Sequence, residues 1–484
     1  MRGQVKTPLI LLICILVLSS MLPGCIEESH AFEIALSHIG DRFVYDVKTV
    51  CIMKFLSEEK KYYVNETILT SINGSKPIID GFGRERNAIE YYMRITGDSY
   101  TTSFSRYIDV ETRTPLKCVL HPQNMPTIEA YPSARTYGIL HGSFLSFLDK
   151  TLPMDVICGP FEGKSIRKGD EGTIMIFGKN VKWKAIGEET INGYRCIKIH
   201  FKFNTSYNYE YSYQNFSENM EYNYMYDYTL WFSNTFPQLI KMKVIIDTGV
   251  CYQMGSTSSE NIMKSVMTFT LKSFEKGNDT ISWGNGELSF PEKSTYGDFG
   301  NWAFYPPTGN KSTNISFKIE DALDYVKMMN SSYFDQHPNS CVLIAAYSEG
   351  GKYWNLIFGD ETGEGYLVNL SIRNGGIEVT ESKDIDLPPS VKLPEENTIL
   401  TLSGSEDIAR HFITLNGNFS ISFTINSSLL DIMKIYVDVP MLFKTVELGN
   451  FNFYNSPLYI LFTDKESITI DGENGQVLLI TRTL

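Results

Sequence analysis

The sequence has no surplus of positive charge: 43 Lys and Arg stand against 56 Asp and Glu, a formal net charge of −13. Nucleic-acid backbones are held by basic faces, so nucleic acid is excluded as a partner. The acidity is too spread out for a solvated acidic tail. Beyond residue 18 no apolar run reaches the roughly 20 residues that span a bilayer. Cys-x-x-Cys, His-Glu-x-x-His and a phosphate-binding loop are all missing, and the seven histidines are scattered. Ala346-Tyr347-Ser348-Glu349-Gly350 approaches a nucleophile elbow but lacks its first glycine. That mechanism needs a helix after the serine, whereas Lys352 to Phe358 reads as a strand. His200 reads as a solvated residue on a polar strand face, and the adjacent Glu188 and Glu189 point to opposite faces. The acidic run from Asp360 to Gly365 lacks the EF-hand spacing and reads as an ordinary turn. No catalytic residue, metal site or cofactor is expected, and the chain does not read as an enzyme.

What is present begins at the N-terminus. A short basic stretch with Arg2 and Lys6 precedes the unbroken apolar run Leu9 to Leu18. A basic start, a short apolar core and small residues describe a secretory signal over residues 1–24. Leu22-Pro23-Gly24-Cys25 resembles the lipobox of prokaryotic lipoproteins, with Pro23 where that motif usually has a small or hydroxyl residue. The resemblance implies cleavage before Cys25, a diacylglyceryl group on its sulfur, and residence on the outer face of the cytoplasmic membrane. Two acyl chains make a stable anchor where one does not. Residues 25–40 would be the tether, and loss of Arg2 and Lys6 moves the formal charge to −15.

Asn-x-Ser/Thr sequons fall at Asn65, Asn73, Asn204, Asn215, Asn278, Asn310, Asn314, Asn330, Asn369, Asn418 and Asn426. They are about twice as many as random placement gives, so part of the set is expected to carry glycans. Many sequons with a lipobox fit an archaeal surface protein. Of the eight cysteines, Cys14 leaves with the signal and Cys25 takes the lipid. Cys51, Cys118, Cys158, Cys196, Cys251 and Cys341 remain, an even set for which an oxidising compartment allows disulfides.

Little alanine and much Tyr, Phe, Ile and Thr favour strands over helices. The expected class is α+β and β-rich: a large antiparallel curved-sheet N-terminal domain over 41–283, then one or two small helix-plus-sheet modules. Strands are predicted at Phe43 to Phe55, Tyr62 to Ile72, Ala88 to Ile95 and Ser103 to Val110, with a loop from Pro122 to Pro132 and a helix from Tyr137 to Leu148. Strands resume near Asp155 and run to Phe274. Tyr107 to Lys117 echoes Leu230 to Lys241, which suggests a duplication of 41–120 in 155–275. Gly187-Glu188-Glu189-Thr190-Ile191-Asn192-Gly193-Tyr194-Arg195-Cys196 with Leu230-Trp231-Phe232-Ser233 resembles lipoproteins with the LolA/LolB-type curved sheet. That resemblance implies a sheet wrapped on a helix that holds an acyl chain or other hydrophobe.

Residues 284–313, rich in Gly, Pro, Asn and Ser, read as a linker. Ile319-Glu320-Asp321-Ala322-Leu323 begins a helix, and Tyr366 to Ile377 closes on an Asn374-Gly375-Gly376 turn. Together they resemble the PepSY module over 314–387. A linker at 388–402 precedes a weaker copy over 403–484, which opens on the capping-box spacing Ser403-x-x-Glu406 and ends in the hairpin Ile468 to Leu478. PepSY modules are mostly extracytoplasmic and non-enzymatic, and the resemblance implies regulation of an extracellular protease as one role.

The most unusual segment is Ile197 to Phe232. Ile197, Ile199, Phe201 and Phe203 lead into Tyr207, Tyr209, Tyr211 and Tyr213 on one parity. After Asn215 to Met220 the other parity carries Tyr222, Tyr224, Tyr226, Tyr228, Leu230 and Phe232. A hairpin around that loop pairs Tyr213 with Tyr222, Tyr211 with Tyr224, Tyr209 with Tyr226 and Tyr207 with Tyr228. The eight tyrosines form a candidate binding platform for a sugar, a peptide or a neighbouring surface molecule, since tyrosine offers a large ring and a hydroxyl at low entropy cost. The leading expectation is a non-catalytic surface lipoprotein with a binding or envelope role. The alternatives are a carrier of a hydrophobic ligand or lipid, and a protease regulator.

Overall fold

The structure is a computed structural model that describes residues 31–55, 58–123, 126–131, 158–176, 179–213, 216–254, 257–286, 291–300, 319–329, 342–350, 352–359, 363–387, 391, 399–415, 419–425, 429 and 457–483. The signal, the lipobox, Cys25 and Cys341 lie outside them, as do the helix expected at 137–148 and the sequons at Asn215, Asn310, Asn314, Asn330, Asn418 and Asn426. Among the described residues no helix is long and apolar enough to cross a membrane.

Alternating apolar and polar residues carry the first half. Six strands run as one meander: β1 Arg42–Phe55, β2 Glu58–Ile79, β3 Glu85–Thr96, β4 Thr101–Asp109, β5 Pro115–His121 and β6 Thr127–Ala130. Six more form a second: β7 Glu171–Ile176, β8 Lys179–Ile191, β9 Tyr194–Tyr213, β10 Phe216–Ser233, β11 Leu239–Met254 and β12 Thr257–Glu275. The last strand of the second pairs with the first strand of the first, from Ile262↔Lys54 to Glu275↔Arg42. Inward-facing residues of both meanders share one core, with Phe43, Tyr45 and Val47 of β1 beside Ile199, Phe201, Leu230 and Phe232. Phe32, Ile34 and Phe161 cap that core. They are fixed by pairing of Phe32–Glu33 with Ser165–Ile166.

The second half is built from helices and short buried strands. Helix α1 (Ile319–Met329) precedes β13 Val342–Glu349, β14 Tyr353–Gly359, β15 Glu364–Arg373 and β16 Gly376–Asp386. Helix α2 (Leu402–Phe412) precedes β17 Ser420–Thr424, β18 Leu458–Phe462, β19 Glu466–Asp471 and β20 Val477–Arg482. Ile319, Ala322, Leu323 and Val326 of α1 are buried as their spacing predicts. Asn192-Gly193 and Asn374-Gly375 both take positive φ (51° and 83°, 52° and 79°). Paired left-handed residues are what tight two-residue hairpins require, and asparagine and glycine tolerate them.

The expected curved N-terminal sheet followed by small PepSY-like modules is not what forms. Among the described residues, β1 to β20 make one continuous antiparallel sheet, neither curved nor closed into small modules, accompanied by the helices α1 and α2. Its spatial order runs β7 to β12, then β1 to β6, then β20, β19, β18, β17, β13, β14, β15 and β16. Separate modules would leave β13, β17, β20 and β6 as open edges that invite pairing. Instead β13 pairs with β17 and β20 with β6. Both helices bury their apolar residues in one shared core, which also takes Tyr131 from beyond β6. Within 284–300, Phe299–Gly300 pairs with Ile399–Leu400 and the Ser294 amide donates to Asn474 O. The capping box at Ser403 is also corrected. The N-cap is Thr401, whose Oγ1 accepts from the Gly404 amide at 3.0 Å.

Candidate functional site

The tyrosine hairpin exists, but its register differs from the expectation by six residues. The chain reverses between Tyr213 and Phe216, which pair with each other. Phe201 therefore faces Tyr228, Phe203 faces Tyr226, Thr205 faces Tyr224 and Tyr207 faces Tyr222. Tyr209, Tyr211 and Tyr213 meet Met220, Glu218 and Phe216. Phe216 to Met220, expected in the loop, lie within β10 instead, because a two-residue connection joins the strands. The shift is even, so the expected face is kept. Tyr207, Tyr209, Tyr211, Tyr213 and Tyr222 have described backbones, but their side chains lie outside the described set. Tyr224, Tyr226 and Tyr228 are described in full.

Those three rings form an ordered stack that leaves the core. Phe201 and Tyr228 lie 4.9 Å apart at 16°, and Phe203 and Tyr226 4.8 Å apart at 13°. Along β10, Tyr228 to Tyr226 spans 6.4 Å and Tyr226 to Tyr224 6.1 Å, both nearly parallel. Aromatic pairs of this kind add about 0.5–1.5 kcal/mol beyond their buried area. The cause of the gradient is visible in the neighbouring strands. Tyr228 shares its row with Val244, Met267 and Thr49, all buried. Tyr226 shares the next with Ile246, Ser265 and Cys51, all half-buried. Tyr224 lies beside Thr248, Met263 and Met53, the last 42% exposed. Core thus becomes surface over three rows, and the strands continue past it.

Below this face the interior is filled. Phe161 packs on Trp183 at 5.4 Å and on Phe232 at 5.3 Å. Tyr228, Leu230 and Phe232 are fully buried. Burial pushes the Tyr45 phenol well above its ordinary value, and its hydroxyl donates to Leu239 O at 3.1 Å. The hydroxyls of Thr49 and Thr248 are buried on the tyrosine face with no hydrogen-bond partner among the described residues. The sequence reading missed what β11, β12 and β1 add to this face. The alternation of Met242 to Thr248 and of Met263 to Phe269 was the signal for it.

The other singled-out residues are dispersed. His200 is bonded rather than merely solvated: its Nε2 lies 3.0 Å from Asp227 Oδ1 on the opposite sheet face. Ser348 is buried in β13 between β14 and β17, where a strand follows rather than a helix. No group of three His, Cys, Asp or Glu is placed to hold a metal among the described residues. Cys51, Cys196 and Cys251 are free thiols. Burial pushes the Cys196 thiol up to about 11. Asn65, Asn73, Asn204 and Asn278 are exposed. Asn369 is half-buried and its amide donates to Glu381 at 2.9 Å.

No protein-family model and no curated protein matches the chain. A solved structure of a DUF1329 family protein from Desulfovibrio piger is similar at 8% identity, covering 49% of this chain and 86% of its own. Its TM-score of 0.20 carries no argument about fold or function.

Proposed function

We propose that the chain is a non-catalytic lipoprotein of the outer membrane face, and that the aromatic face of β9 and β10 binds a surface saccharide. One observation carries this reading: the stack Tyr228, Tyr226, Tyr224 rises from full burial to partial exposure on a single strand face. Aromatic rings with hydroxyls suit sugars, which present C–H faces and hydroxyls together. The filled base around Phe161 and Phe232 favours a surface platform over a carrier of a hydrophobic ligand. The lipobox around Cys25 supports the address.

The test is a saccharide array probed with the mature chain, alongside Tyr224→Ala with Tyr226→Ala. The reading expects saccharide binding by the wild type and at least a tenfold loss in the double variant at unchanged fold. Wild-type binding to no saccharide, or only to extended peptides, contradicts it.

A further inference from the structure

The face opposite the tyrosines has a charge of its own. One row across β9, β10, β11, β12, β1 and β2 reads His200, Thr229, Lys243, Thr268, Lys48 and Asn65. The next reads Lys202, Asp227, Ile245, Val266, Val50 and Tyr63. The described acids of this face are spoken for. Asp46 holds Lys272 at 3.4 Å, Asp247 holds Lys264 at 3.3 Å, Glu59 holds Lys61 at 3.4 Å, Asp227 is hydrogen-bonded to His200 at 3.0 Å, and Glu189 holds Lys198 at 3.8 Å and accepts from Trp231 Nε1 at 2.8 Å. Lys48, Lys202 and Lys243 are exposed and in no ion pair among the described residues. Trp231 is clasped between Lys198 and Lys241, 5.1 and 5.0 Å from its ring. Ile245, Val266 and Val50 make an aliphatic strip between the lysines, ending at Tyr63, which is 73% exposed. Six strands about 4.8 Å apart make the patch about 24 Å wide.

We propose that this lysine-rimmed aliphatic face docks on an anionic lipid surface. The chain as a whole carries −13, so an anionic bilayer repels most of it and admits this face. Lysine heads reach phosphate oxygens while their stems and the strip between them meet the headgroup boundary. Docking there turns the tyrosine face away from the membrane, toward surface saccharides. The inference rests on the membrane-surface reading above and names the lipid class that orients it. It also requires Asn65 and Asn204, exposed on this same face, to carry no glycan.

The experiment uses the mature chain with Cys25→Ser, so that no acyl chain contributes, and measures co-sedimentation with vesicles. Phosphatidylcholine vesicles with phosphatidylglycerol are compared with phosphatidylcholine alone. The expected result is binding to the anionic vesicles only, lost at high salt. Lys48→Gln with Lys243→Gln should weaken it roughly 25-fold, at about fivefold per lysine, and Lys465→Gln should leave it unchanged. Equal binding to neutral vesicles, no effect of the double variant, or binding to a soluble anionic polysaccharide without vesicle binding overturns the proposal. So does a glycan on Asn65 or Asn204 of the native protein. Failure of Cys25 acylation would remove the anchor but leave the vesicle result standing, so the two readings fail separately.

Discussion

The seam between the two halves of the sheet gives the sharpest energetic prediction. Strands β6 and β20 share four residue pairs, whereas β9 and β10 share eighteen. Glu129 in this seam joins three groups: Arg482 Nη1, Lys117 Nζ, and the Tyr131 hydroxyl at 3.0 Å. Glu129→Gln keeps the size and removes the charge. Removing one partner of a buried ion pair costs about 3–5 kcal/mol. Glu129 is 12% exposed, but Lys117 is 21% and Arg482 32% exposed. Arg482 also keeps Glu466 at 2.8 Å and Phe412 O at 2.9 Å. Solvent screening and those remaining partners bring the expected loss to about 2 kcal/mol. Urea unfolding followed through buried Trp354 of the eight-stranded part measures it. Adding Lys117→Met to Glu129→Gln should recover part of the loss, because the apolar chain fills the site without a charge. A loss below about 0.5 kcal/mol, the range of ordinary surface changes, would refute the role given to this network.

Three further outcomes are expected. Burial lowers the Lys117 ammonium to about 8. Between about pH 8 and its ordinary value the unfolded chain binds the extra proton, so this group's contribution to stability should rise with pH across that window. The difference in melting temperature between wild type and Lys117→Met should track that rise and stay constant below it. Thr401→Ala should cost about 1 kcal/mol by removing the α2 cap, measured by thermal unfolding. If the loss is absent, the Thr401 bond to Gly404 is not a cap. Cys25→Ser should abolish incorporation of labelled acyl chains and release the protein from membranes, and retained label would remove the lipobox reading.

Local pattern was legible in the sequence and long-range partnership was not. Two-residue periodicity located β1 to β4 and the long strands β9 and β10, because each buries one parity. Helical spacing of Ile319, Ala322, Leu323 and Val326 likewise located α1. Register escaped because period two fixes the face and leaves the rung open, as Tyr207 shows by meeting Tyr222 instead of Tyr228. The small modules were misread because a helix followed by four strands looks alike whether it closes on itself or joins a larger sheet. The Ala345↔Thr424 and Leu479↔Ala130 pairs decide that, and no local signal announces them. The sequons have a related origin. At Asn65, Asn73, Asn204 and Asn369 the asparagine and the hydroxyl residue two places on lie within strands. At Asn65, Asn204 and Asn369 regular alternation puts both on one face, so a polar strand face generates the motif without any glycan. Asn278 alone of the described sequons lies outside a strand.

The central claim is that the aromatic stack leaving the core is a saccharide-binding face. Titration calorimetry of the mature chain against a saccharide selected on the array, repeated with Tyr226→Ala and with Lys243→Gln, tests it most directly. The account predicts at least tenfold weaker binding for Tyr226→Ala and wild-type binding for Lys243→Gln on the opposite face. Equal affinity for Tyr226→Ala and wild type would contradict it.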